Sequence, residues 1–475
     1  MKQSPFRVIV VGGSISGLTM SHCLQQAGID HVVLERRSTI IQSNGASINL
    51  WPQGLRLMEQ LGCLEAIEET CAPMHANYFR RPDGTPTIVS PLFKQIIERH
   101  GYGFLVVDRE KLLRIIYEHL PSKSYIKGGC SVVRIEEHEN GVKVHLEDGS
   151  VETGDIVIGA DGVNSVVRKA MWTIANDRCP GTFSQKEQQT LNTAYKCLFG
   201  TSTPPAGSVP GEMILTHNHG FSFLTLTQPT RVYFFVFIKL PKAMRWPDRA
   251  KYTSQDAELE SVKYMNCRIN EIFTFGDLWE NKLWFYLSPL EEGVFEQWHW
   301  GRIALAGDAA HKVTPNLAFG ANSAMESVAA LSNGLNRALE NQLDSKLSRK
   351  QISMVFQDYQ RKRIGRVTKA YNFTGGFTRI SAWDGPLNRF IASWILPVTA
   401  HDVIADKFTR LIRGGVKLTY VPYKETRSGS VRWDDESEEY PSAAVKLTSV
   451  SVVSILVSCL GIGALVRWLF WNLMT

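Results

Sequence analysis

"VIVVGGSISGLTMSHCLQQAGIDHVVLERR", Val8 to Arg37, holds two short apolar runs with a glycine turn and a helical spacing between them. Arg7 to Val11 is β-branched and reads as a fully buried strand. It stops at Gly12-Gly13. Leu18, Cys23, Leu24 and Ala27 then follow at helical spacing until Gly28, and "HVVLE" makes a second strand closing on Glu35. The whole is a βαβ unit, which places the chain in the α/β class with a Rossmann-type domain. Aligned on the dinucleotide fingerprint, Gly12 permits the tight turn and Gly17 the close helix-to-sheet contact. Ser14 stands where a second glycine is usual, and its hydroxyl can face a phosphate oxygen. N–H groups at the helix start would take a pyrophosphate. Glu35 would accept from ribose hydroxyls and repel a 2′-phosphate. An adenine dinucleotide is expected here. Its redox end stays open: a nicotinamide that comes and goes, or a flavin that stays.

Bulk properties narrow the classes. The chain has 475 residues, 44% apolar and 21% charged, which is an ordinary globular composition. A formal charge of +6 and no basic block longer than Arg361 to Arg363 exclude a nucleic-acid partner. Eight cysteines without a C-x-x-C pair indicate a reducing compartment and no zinc or iron–sulfur site. No secretory signal is expected, because the only early apolar run is the first strand. Leu447 to Val466 is different: twenty residues without a charge, bounded by Lys446 and Arg467 and followed by Trp468 and Trp471. That length matches a bilayer-spanning helix, which would leave the preceding chain in the cytosol. Lys424 to Tyr440 is polar and charged, as a tether would be.

Two later stretches return to nucleotide-site chemistry. "DIVIGADGVNSVVRKAM", Asp155 to Met171, reads as a strand reaching Gly159-Ala160-Asp161-Gly162, then a helix with Ser165 and Arg168. "RIALAGDAAHKVTPNLAFGANSAMES", from Arg302, gives another buried strand with Gly307-Asp308 at its end and a helix starting near Gly320-Ala321. No second fingerprint of the Gly12 type opens a helix, so a separate nicotinamide domain is not expected.

In order and spacing across roughly residues 6 to 380, these stretches resemble the motifs of the p-hydroxybenzoate hydroxylase-like FAD-dependent monooxygenases. With its apolar tail, the whole chain is most similar to fungal membrane-associated monooxygenases of meroterpenoid and indole-diterpene pathways. The resemblance implies that Gly12, Gly13, Ser14 and Gly17 hold the FAD pyrophosphate. It implies Glu35 on the adenosine ribose, Arg36 beside the adenine, and the loop Gly45 to Asn49 along the flavin. The family often has glycine where Asn49 stands. Arg109 would contact the FAD linker, Asp161-Gly162 would serve FAD and NAD(P)H, and Gly307-Asp308 would meet the ribityl hydroxyls. Gly320-Ala321 would bring backbone N–H groups to the pyrimidine edge, where a helix start favours negative charge. An alternative reading makes Arg109 a surface ion pair, and Asp161 and Asp308 helix caps. The implied organisation is a FAD-binding domain in two parts, residues 1–185 and 296–375. An antiparallel sheet for the substrate lies between them at 186–295, followed by helices and tether at 376–445 and a transmembrane helix at 446–470.

In the middle region, "TAYKCLF", "GFSFLTL", "RVYFFVFIKL" and "KLWFYLS" alternate as strands of an antiparallel sheet. Phe221, Phe223, Tyr233, Phe235, Phe237, Trp284 and Tyr286 occupy alternate positions, either as an apolar wall for a lipophilic substrate or as ordinary sheet core. His217, His219 and His311 are expected in loop or solvent roles, and no catalytic base is named. The absence of a nucleophile, triad or metal cluster suits a reaction whose chemistry the cofactor carries. The expected activity is NAD(P)H- and O2-dependent epoxidation of a prenyl-chain olefin at an intracellular membrane. Its rivals are hydroxylation of a phenolic ring, a flavin-dependent isoprenoid reductase, and a tethered binding protein with a vestigial site.

Overall fold

The computed structural model describes residues 5–41, 46–340, 346–399, 401–422 and 427–439. One sheet has the strand order His299–Trp300, Ile303–Leu305, Ile156–Gly159, Arg7–Val11, Asp30–Leu34, Ile126–Lys127. Its neighbours are parallel except for the outermost pair, His299–Trp300 with Ile303–Leu305. Val8, Ile9, Val10, Ile156, Val157 and Ile158 are wholly covered, as a parallel sheet with helices on its faces requires. Register aligns the strand ends. Val11 sits beside both Gly159 and Leu34, and Gly159 beside Leu305. The turns after these strand ends therefore emerge side by side, where open α/β sheets bind ligands.

The second sheet has eight strands, in the order His311–Lys312, Lys282–Val294, Asn192–Ser202, Arg231–Arg245, Phe221–Gln228, Glu212–His217, Ala76–Arg80, Pro86–Ser90. Four of these are the strands expected from alternation. Ala76–Arg80 joins in parallel to Glu212–His217, so a hairpin from the amino-terminal part of the chain completes the sheet. Phe223, Phe234 and Val236 on one face pack with Tyr264, Phe275 and Trp279 in a core of their own. Leu224, Leu226, Tyr233, Phe235 and Phe237 on the other face join the main core.

Two helices tie the sheets together, Phe319–Glu340 and Arg349–Ser381. The second begins at a capping box of Ser348 and Gln351. Glu326 on the first accepts from Arg363 Nη1 at 2.6 Å and from Arg366 Nε at 2.6 Å on the second. The described residues up to Trp433 form one compact unit, and Asp434–Glu439 fall outside it. Leu447 to Val466 lies outside the described residues; among those described, no helix is long and apolar enough to cross a membrane.

Candidate active site, a polar groove beside an apolar chamber

The aligned strand ends open into a groove of two connected cavities, of about 420 and 320 Å³. Glu35 and Asp308 both line the larger one. Ser14, Arg109, Ala160, Gly162 and Asp308 are common to the two. Two carboxylates far apart in the chain thus face one continuous space.

The glycines make this possible by bringing backbone to backbone. Gly12 has φ +106°, and a Cβ there would come within 2.5 Å of the Ala160 carbonyl oxygen. A Cβ on Gly17 would come within 1.8 Å of the Gly12 carbonyl oxygen, so Gly17 serves the packing of helix Ile15–Gln26 on the turn and does not line the groove. Gly13 N donates to Glu35 Oε2 at 2.7 Å and Arg37 N to Oε1 at 3.1 Å, which fixes the carboxylate at the cavity wall. Arg36 is exposed at the same wall.

Ser14 starts helix Ile15–Gln26 without capping it. Its hydroxyl instead accepts from Arg109 Nη2 at 3.1 Å, leaving the first N–H groups of the helix directed at the groove. Arg109 makes no ion pair among the described residues, so the surface-pair reading is set aside. Burial lowers its pKa below the usual arginine range, with Arg37 adding and Glu35 opposing. Asp161 combines both readings. Its Oδ2 accepts from Val166 N at 2.7 Å and Val167 N at 3.1 Å, capping helix Val166–Arg178, while Oδ1 is buried with no partner among the described residues. Burial raises its pKa above the ordinary carboxylate value. Gly162, at φ +81°, lines both cavities. Gly307, at φ +60°, brings the backbone against the Ser16 hydroxyl.

Asp308 caps nothing. It pairs with Lys312, a groove residue four positions on that lies inside the third quoted stretch but has no assigned role in its motif. Burial alone would depress the Lys312 ammonium, but Asp308 outweighs it and holds the pKa above the usual lysine value. Gly320 and Ala321, in the first turn of Phe319–Glu340, line the smaller cavity, and so does Phe235. Gly45 lies outside the described residues. Asn49 lies on strand Ser47–Leu50, and its Oδ1 is buried without a partner among the described residues.

Asn49 also lines a third cavity, an apolar chamber of about 230 Å³. Its walls include Phe79, Leu226, Phe377, Leu396 and Phe408. The turn Pro315–Leu317 divides the two spaces, with Pro315 toward the groove and Asn316 and Leu317 toward the chamber. Lys407 is the only ionisable residue on the chamber wall among the described residues.

Of the two readings of the alternating aromatics, ordinary sheet core and not a chamber wall is the one the structure favours. None of the seven aromatics named from the sequence lines the chamber; Met213, Leu224 and Leu226 do so instead. Phe221 and Phe223 point to the opposite face, against Tyr264. Trp284 stacks on Tyr286, which is exposed. Two histidines are corrected. His217 is buried and bonds the Ser381 carbonyl at 3.0 Å, and His311 is buried against Ser327 Oγ at 3.0 Å. Burial, with Arg363 adding, pushes His311 down to about 3, so its imidazole is neutral. His219 alone is exposed.

A profile of the family described as FAD binding domain matches residues 6–351. The FAD-dependent monooxygenase penE of Penicillium thymicola is 36% identical over 463 residues, 97% of this chain and 96% of that protein. The FAD-dependent monooxygenase atmM of Aspergillus flavus is 34% identical over 452 residues, 94% of each. Among solved structures, Klebsiella pneumoniae HpxO complexed with FAD and uric acid has a TM-score of 0.71 at 23% identity, covering 86% of this chain and 97% of that one. Tetracycline destructase Tet(55) has a TM-score of 0.63 at 15% identity, covering 89% of this chain and 100% of that one. These two similarities are of fold.

Proposed function

The chain belongs to the FAD binding domain family and, within it, to the fungal FAD-dependent monooxygenases, and from that premise we propose that it epoxidises a prenyl-chain olefin on a lipophilic meroterpenoid or indole-diterpene precursor, with NAD(P)H and O2. The groove fits the cofactor on its own terms. It offers a helix start with uncapped N–H groups at one stretch, an acceptor carboxylate at Glu35, and an Asp308–Lys312 pair further along. Ser14 and the first N–H groups of helix Ile15–Gln26 would hold the pyrophosphate beside the tight turn at Gly12-Gly13, with Arg109 screening its charge. Glu35 would accept from the ribose, with Arg36 beside the adenine. Asp308 would accept from ribityl hydroxyls, and Gly320-Ala321 would donate to the pyrimidine edge. When bound, FAD supplies the redox chemistry: electrons from NAD(P)H and an electrophilic oxygen derived from O2.

The observation that carries the choice of reaction is the chemistry of the chamber. Its lining holds no carboxylate, histidine or tyrosine among the described residues. A phenol is made nucleophilic by a general base such as a carboxylate or histidine, whereas an electron-rich olefin needs only orientation and the exclusion of water. The aromatic and aliphatic walls supply both. Ser90, Lys407 and the asparagines of the lining can orient a polar end of either substrate. The membrane reading rests on the sequence of the tail: Leu447 to Val466 would anchor the enzyme, with its catalytic part on the cytosolic face of the endoplasmic reticulum, where a lipophilic precursor partitions.

The test is anaerobic reduction of the purified yellow protein with NADPH, followed by 18O2 in the presence of prenylated candidate substrates. One labelled oxygen on a former olefin is expected. Label on an aromatic ring would make the enzyme a hydroxylase, and a saturated, unlabelled product would make it a reductase.

A further inference from the structure

Leu387, Phe390, Trp394, Val398 and Val403 are 70%, 44%, 68%, 80% and 46% exposed. The other exposed large apolar side chains are spread between residues 89 and 354, whereas these five fall within one short stretch. The backbone there is a nearly continuous helical run: Pro386–Phe390, wider turns at Ile391–Ile395, then Leu396–Val398. Positions 387, 390, 394 and 398 recur every three or four residues and so share one face. The other side of the same stretch turns inward. Ala392 is buried, and Leu396 lines the chamber together with Ile404 and Phe408 of the next helix, His401–Ile412.

The charge along this stretch up to His401 is basic. The sixteen residues from Pro386 to His401 contain no carboxylate. Arg389 and Arg81 line an open cavity of about 790 Å³ beside Phe390 and Trp394, and neither makes an ion pair among the described residues. The nearby acids are engaged elsewhere: Asp384 by Lys239 and Tyr195, Asp402 and Asp406 by Arg99. An apolar stripe edged by Arg81, which is near Asp83, and by Arg389, which lies over the Trp383 ring at 5.3 Å, matches an acyl-chain boundary topped by phosphate.

We propose that residues 387–398 are a lipid-docking face on which an anionic bilayer seats. Leu387, Phe390, Trp394 and Val398 enter below the headgroups, and Arg81 and Arg389 meet lipid phosphates. A bilayer-dissolved substrate passes beside Leu396 and Ile404 into the chamber without crossing water. At thirteen residues, Pro386–Val398 is too short to span and lies in the surface plane. The entry route rests on the chamber's being the substrate site. The docking face itself requires neither that reading nor the tail.

Four full-length proteins test it by flotation with phosphatidylcholine–phosphatidylserine vesicles: wild type, a tail-charged variant (Leu456→Arg, Leu460→Arg), a face-charged variant (Leu387→Asp, Trp394→Asp, Val398→Asp), and the combination. Bound flavin absorbance checks that each is folded. The tail-charged variant is expected to float, and the combination to lose about tenfold or more of the bound fraction. Tail-charged protein that stays at the bottom overturns the proposal, as does equal flotation of tail-charged and combined variants. Equal capture of the tail-charged variant by pure phosphatidylcholine overturns the role of the two arginines. A dimer that the three aspartates dissolve, without flotation, would assign the face to self-association and overturn the lipid reading. Because flotation measures no turnover, a failed epoxidation assay leaves this result standing.

Discussion

The groove and the chamber share Asn49 yet are built on opposite plans. Groove polar groups are placed by backbone register: four adjacent strand ends deliver Gly13, Glu35, Asp161 and Asp308 to one edge of a sheet. The chamber has no such axis. Phe79, Leu226, Phe377, Leu396 and Phe408 come from separate elements, and packing alone sets their positions. The groove is therefore chemically specified, while the chamber is a shape that can be altered without disturbing it. The two plans meet in the Glu326 clamp, because Phe319–Glu340 lines the groove and Arg349–Ser381 lines the chamber.

Breaking the clamp should show the largest effect, since it strikes both spaces. Glu326→Gln leaves the buried Arg363 guanidinium and the partly exposed Arg366 guanidinium short of a charge partner and should cost about 3–5 kcal/mol of stability, read as a large fall in Tm. Burial alone would raise the Glu326 pKa, but Arg366 and Arg363 together overcome it and hold it below the ordinary value. Its stabilisation is thus present above the unfolded pKa of about 4.3 and lost as pH falls through the folded value. Acid unfolding of the variant should be correspondingly less steep below about pH 4; an unchanged profile would move the acid sensitivity elsewhere.

Asp308→Asn should strike the groove alone. Loss of charged acceptor bonds of about 1.5–3 kcal/mol predicts roughly 10–100-fold weaker FAD retention, measured by flavin absorbance after gel filtration. Normal retention would reduce Asp308 to a partner of Lys312. Gly376→Leu should strike the chamber alone. A Cβ at Gly376 meets nothing within 4 Å, and the residue lines the chamber. The variant should raise the substrate KM by about tenfold, the order of a pocket change of a few methylenes, with flavin content unchanged. Lost flavin would deny the separation of the two plans. Ser14→Ala is the mildest test: removing one hydroxyl that accepts from Arg109 should weaken FAD by about fivefold, for a net bond of about 1 kcal/mol.

The groove is legible in the sequence because its residues lie in short motifs whose chemistry is local: a glycine turn, an acid at a strand end, a second and third strand closing on Gly-Asp. Lys312 obeys a readable rule, the four-residue spacing of an ion pair, but that spacing recurs throughout any chain and singles out no site. The chamber is not legible. Alternation in "GFSFLTL" establishes that the strand has two faces without saying what each one meets, and here Leu224 and Leu226, not the aromatics, face the chamber. The pairing of Ala76–Arg80 with Glu212–His217 joins strands far apart in the chain, which no local pattern announces. His217 and His311 look like loop residues because polar neighbours flank them; tertiary packing buries both.

The partition between the two compartments has a consequence for how such an enzyme diversifies. Asn322 Nδ2 donates to the Asn49 carbonyl at 3.0 Å and its Oδ1 accepts from Trp51 N at 3.1 Å, pinning the end of strand Ser47–Leu50 to helix Phe319–Glu340. A pinned dividing wall cannot retreat to admit a bulkier guest without dragging the nucleotide bed with it. Lineages whose chamber takes in larger or differently shaped guests should accumulate their changes on its remote side, around Ile380, Leu396 and Ile404, while the wall at Asn49 keeps its place.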